Sequence, residues 1–239
     1  MLQLPIFVQV LFFLCILYTF FIFYKASKSK AAIYFLFAWG AIQTVVSLNG
    51  FYLNTEVIPP RFLLVLFPPL LFQFIILIHP IFKKFRNSLN LKTLTLIHIV
   101  RIPVEFVLYF LFLEKYVPEI MTFSGRNFDI LPGLTAPFIY YFGFIKKKLS
   151  KKFIFGWNII SLGFLVFIIS NAILSAPSPF QLFGFNQPNI ALLYFPIVLL
   201  PSVIVSVVLF SHFVTIKRLY KTIYQKNKSL DTNPLFSKS

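Results

Sequence analysis

The stretch HIVRIPVE places His98, Arg101 and Glu105 within an otherwise apolar run. Arg101 and Glu105 are four residues apart and His98 precedes Arg101 by three, so in a helix all three project from one side. A charge near the centre of a membrane helix costs roughly 2.5 to 3.5 kcal/mol on insertion scales, and opposite signs at this spacing can neutralise each other. The spacing predicts an Arg101–Glu105 pair facing the interior of a helical bundle. Two chemistries fit it. In the first, Arg101 holds the anionic group of a small ligand. In the second, Glu105 or His98 acts as acid or base in a membrane-embedded enzyme working on a lipid or isoprenoid. An ion pair that only fixes packing is the structural alternative.

Two polar connections carry the other candidates. EKYVPEIMTFSGRNFDILPG, from Glu114 to Gly133, sets Arg126, Asn127 and Asp129 beside Phe123 and Phe128, the mixture a folded cap at a bilayer edge requires. SAPSPFQLFGFNQPN, from Ser175 to Asn189, adds Gln181 and Asn186. Together they are expected to close over a cavity floored by Arg101 and Glu105, with Arg126 and Asp129 shaping its mouth and a small polar or anionic molecule as ligand. His79, His98 and His212 fall at similar depths in their apolar runs, which makes a three-histidine metal site geometrically conceivable. No acidic residue accompanies them at that level, so no metal is expected. No motif assigns a cofactor: Ser-His-Asp, a Gly-rich phosphate loop and HExxH are all absent from the sequence.

The elements that must position these residues follow from composition. The 239 residues are 59% hydrophobic and 12% charged, with 34 Phe and a mean hydropathy of +0.86. Soluble domains carry about a quarter charged residues. The solvent is therefore lipid. Seven spans are expected at Leu4–Tyr24, Ala31–Gly50, Phe62–His79, Thr93–Leu113, Ile130–Ile145, Phe153–Leu174 and Ile190–Val214, giving an all-α polytopic transmembrane bundle. A net charge of +16 would suit a nucleic-acid binder, but the basic residues sit in short clusters between apolar runs, so no nucleic-acid partner is expected. With seven spans, 18 Lys and Arg fall on one side and three on the other, which orients the N-terminus outside and the C-terminus in the cytosol. The bundle comprises residues 1–216, followed by a basic cytosolic tail at 217–239. The first span is too long for a signal-peptide core and Lys25, Lys28 and Lys30 follow it, so it is expected to stay as a membrane helix. Cys15, the single cysteine, forms no disulfide within the chain.

Familiar seven-helix classes fare poorly. Ile190–Val214 contains no lysine for retinal, no Asn-Pro-x-x-Tyr marks a G-protein-coupled receptor, and the Pro-Gln signature of small sugar transporters is missing. The stretch RIPVEFVLYFLFLEKYVPEIMTFSGRNFDILPGLTAP, with the Ser175–Asn189 connection, resembles a group of bacterial seven-helix integral membrane proteins without an established activity. The resemblance implies a bundle in the cell inner membrane and no particular reaction. The expected function is a transporter-like or receptor-like bundle with an outward-facing polar pocket. A lipid-acting enzyme and a structural subunit of a membrane complex are the alternatives.

Overall fold

A computed structural model describes residues 3–225, all helix, turn and loop with no strand among them. Six helices are long and apolar enough to cross a membrane: α1 Ile6–Ser27, α2 Lys30–Leu48, α3 Arg61–Ile78, α5 Leu91–Leu113, α7 Lys151–Leu174 and α8 Leu200–Tyr224. The short α4, Lys83–Ser88, links α3 to α5. The apolar segment α6, Ile130–Ile145, is shorter than the six.

The starts of α2, α5 and α7 are set by side-chain caps. Ser29, Asn90 and Ser150 accept the N–H groups of Ala32, Thr93 and Phe153, which would otherwise lack intrahelical partners. Prolines mark changes of helix type. Pro68 and Pro69 sit where a 3-10 turn at Arg61–Val65 passes into α-helix, and Pro103 follows the 3-10 turn at His98–Val100. Pro137 precedes the π-helical end of α6, and Pro201 lies in the π-helical start of α8. Each proline lacks the amide that would continue the α ladder, so the backbone finds another pattern.

The seventh predicted span is shifted. Residues 190–199 form a short 3-10 turn at Ala191–Leu193 and irregular chain, and the helix begins at Leu200. Pro196 breaks the early part, although its apolar composition matches a span. At the other end α8 continues through Tyr224, beyond the expected boundary at 216, and residues 226–239 of the predicted tail lie outside the described residues.

The chain doubles back so that its basic clusters meet at one end. Asn90 donates its amide to Ala26 at 2.9 Å, and Arg218 donates to the Leu89 carbonyl. Lys92 lies 5.2 Å above the Tyr140 ring, while Arg86 and Lys217 donate to the closing carbonyls of α3 at Ile76 and Leu77. Cations on the last carbonyls of a helix complement its dipole. At the opposite end the Tyr116 carbonyl accepts from Ile190 and Ala191 at 3.1 Å each, and Ser47 donates to Leu193 at 3.0 Å.

α8 is the central helix, enclosed on most sides from Ser202 to Thr215, whereas α2 buries only Gly40, Gln43 and Ser47. α6 lies directly on α5 at Gly133, where a Cβ would stand 2.8 Å from Ile102 Cγ1 and 3.3 Å from the His98 carbonyl. Gly133→Ala is therefore expected to lower stability by about 1 to 3 kcal/mol through overpacking, read as a reduced Tm in detergent. An unchanged Tm would show that the two helices do not approach this closely.

Candidate functional site

Arg101 occupies the middle of α5, ten residues from Leu91 and twelve from Leu113, about 15 to 18 Å from either end at 1.5 Å per residue. His98, Arg101 and Glu105 are each no more than 2% exposed. Pro103, one turn before Val107, cannot donate to Ile99, and the 3-10 turn at His98–Val100 lets the helix continue past it.

The expected Arg101–Glu105 pair does not form. Arg101 instead grips Asp129 in a fork, Nε donating to Oδ2 at 2.7 Å and Nη2 to Oδ1. Nη2 also donates to the Ser161 carbonyl at 3.0 Å, and Nη1 lies 3.4 Å from His212 Nε2. The planar guanidinium matches both carboxylate oxygens at once, a geometry that a carboxyl four residues along the same helix does not provide here. All three guanidinium nitrogens are engaged, so Arg101 has no free edge for a ligand anion.

Asp129 reaches mid-helix depth because the chain after α5 turns back inward. Lys115 adopts φ 63°, a 3-10 turn at Glu119–Met121 follows, and Thr122 and Asn127 are buried. Asn127 holds the turn together: its Oδ1 accepts the Asp129 amide at 2.9 Å, and its Nδ2 donates to the Met121 carbonyl at 3.0 Å and to Glu105 Oε1 at 2.6 Å. Irregular backbone at such depth is tolerated only when protein surrounds it and meets its polar groups. α6 thus starts beside Arg101 and runs to the basic end.

Two further helices complete the cluster. Arg101 can only donate, so His212 Nε2 accepts and its Nδ1–H donates to Asn158 Oδ1 at 3.0 Å. Asn158 is oriented in turn by donating to the Ile154 carbonyl at 2.9 Å. His98 stacks on His212 at 4.0 Å between centroids, and Trp157 meets His98 edge-on at 5.4 Å while donating to Thr135 at 3.0 Å. In this polar core Glu105 Oε2 and His98 Nδ1 are fully buried without a hydrogen-bond partner.

No protein-family model, curated protein or solved structure matches this chain. The site therefore rests on its own geometry.

A cavity of about 110 Å³ occupies the half of the bundle away from the basic end. Its walls are apolar, among them Phe62, Leu108, Leu165 and Ile197, and Glu105, Asp129 and Asn189 are its polar lining. Because Asp129 is committed to Arg101, the polar groups of the lining left to meet an occupant are Glu105 and Asn189 Oδ1.

Other predicted residues lie elsewhere. Arg126 is exposed, with its guanidinium 4.7 Å over the Phe183 ring, so it does not join Asp129 at a mouth. Gln181 donates to the Phe183 carbonyl at 3.0 Å within its own loop, and Asn186 is exposed. The two connections are instead joined by Gln187, which donates to the Phe112 and Val117 carbonyls at 2.8 and 2.6 Å. The three histidines do not converge: His79 is exposed and accepts from the Ile81 amide, and no group of three His, Cys, Asp or Glu able to hold a metal occurs among the described residues. Asn158, Ser161 and His212 complete the site in a way that the spacing within α5 does not reveal. The available signal was the presence of Asn158 and Ser161 in the apolar first half of the span Phe153–Leu174.

Proposed function

We propose that the chain is a multi-pass protein of a bacterial inner membrane that binds a small, mainly apolar molecule in the cavity above Glu105, as a transporter-like or receptor-like bundle. Seven crossings are part of this reading, with α6 as the short one, the N-terminus outside and the C-terminus in the cytosol. The gathering of basic clusters at one end supports that orientation. The cavity then opens into the outer half.

The observation that carries the reading is Glu105 Oε2, buried, without a partner and at the wall of an apolar cavity. Intramembrane carboxyl groups are functional candidates by default, and an unpaired one favours an occupant that donates to it. The ligand class is therefore a small aliphatic amine or a comparable donor, rather than the anion expected when Arg101 is taken as free. Octylamine is expected to raise the Tm of the detergent-purified protein, and Glu105→Gln to abolish that rise. A rise that persists in Glu105→Gln would overturn the assignment.

The unpaired His98 Nδ1 beside the same polar core supports a second reading, acid–base catalysis on a lipid. Turnover of a labelled isoprenoid by the purified protein, lost in both His98→Ala and Glu105→Gln, would favour it over simple binding.

A further inference from the structure

A second cavity, of about 350 Å³, lies among α1, α2, α3 and α8 and shares no lining residue with the first. Its wall is aromatic, with Phe23, Phe35, Phe72, Phe85 and Phe210 contributed by five different helices. Two polar atoms of lining residues lack partners: Trp39 Nε1, a donor, and Gln73 Oε1, an acceptor. Gln73 is 7% exposed, and its Nε2 donates to the Ser206 carbonyl at 2.8 Å. That bond fixes the amide, because the reverse orientation would set two carbonyl oxygens against each other. Oε1 is thus the atom left for an occupant.

A buried donor and a buried acceptor each carry their desolvation penalty until something pairs with them. A hydroxyl can pair with either, accepting from Trp39 or donating to Gln73, whereas a carboxylate cannot donate to Gln73 and an ammonium cannot accept from Trp39. The aromatic remainder of the cavity suits an aliphatic chain. The expected access is lateral, past α2, the least enclosed long helix, whose Phe35 stacks on Phe72 of α3 at 4.4 Å.

We infer that this cavity binds a neutral single-chain amphiphile with a hydroxyl head, the long-chain alcohol class, taken from the surrounding bilayer between α2 and α3. The site stands apart from Glu105 and does not depend on the outer cavity being occupied.

Trp39 reports on it directly. Dodecanol carrying a bromine on the third carbon, close to its hydroxyl, added to the full chain in nanodiscs, is expected to quench tryptophan fluorescence saturably and to be displaced by plain dodecanol. Trp39→Phe should remove the saturable component, since Trp157, the other tryptophan, lies in the polar core. Gln73→Met should weaken binding roughly five-fold or more by removing the acceptor. Ala32→Phe adds a ring at a lining position other than Trp39 and Gln73 and should abolish saturation, which keeps the test decisive if Gln73→Met fails to fold. Quenching that rises without limit and equally in Ala32→Phe would overturn the site, as would dodecanoate competing as well as dodecanol. A cavity holding only water would give no saturable quenching and would overturn it too.

Discussion

Arg101→Met should cost roughly 3 to 5 kcal/mol of stability, because it leaves the Asp129 carboxylate buried at 6% exposure without its fork of donors. His212 and the Ser161 carbonyl lose a donor in the same step. The double variant Arg101→Met/Asp129→Leu should recover most of the loss, since it removes both charges and leaves similar volume behind. Equilibrium unfolding in one detergent, run as a double-mutant cycle, reads the coupling. Additive losses would show that Arg101 and Asp129 do not act as a pair. Arg101→Lys should fall between, as a single ammonium cannot serve both carboxylate oxygens, a carbonyl and an imidazole in the same plane.

Gly125→Ala should be nearly as damaging, for a steric reason. A Cβ there would lie 2.3 Å from the Glu119 carbonyl oxygen and 2.9 Å from Ile120 Cα. Both are backbone atoms, so no rotamer change relieves the overlap and the turn from Glu119 to Gly125 must open. That turn delivers Asn127 and Asp129 to Glu105 and Arg101. The expected result is a loss of about 1 to 3 kcal/mol from overpacking, with more if the ionic fork is broken as well, together with faster trypsin cleavage after Arg126. Wild-type melting and cleavage would mean that the inward path of this segment is wrong.

Most of the helices were legible because long apolar runs leave the backbone few options: each amide must be satisfied internally, and a helix does that. The predicted Ile130–Ile145 and the last residues of α5 and α7 agree with the structure. The start of α8 was not legible, since Ile190–Leu199 is as apolar as a span and only Pro196 signals that it is not helical. Within the site, spacing placed His98, Arg101 and Glu105 on one buried side, but it could not choose the partner of Arg101. That choice depends on a contact across 28 residues, made by a segment whose inward path leaves no periodic trace. For Arg126 and Asp129, two polar residues three apart in a loop, sequence gave no means of telling the exposed one from the buried one.

The bond between mid-α5 and the start of α6 also bears on how the molecule is made. In a bilayer, Arg101 emerges from synthesis before Asp129 exists, and alone at the centre of a helix it carries a penalty of roughly 2.5 to 3.5 kcal/mol. If α6 crosses as proposed, α5 and α6 are expected to enter lipid as one hairpin, because the chain must grow 28 residues past Arg101 before Asp129 exists to neutralise it.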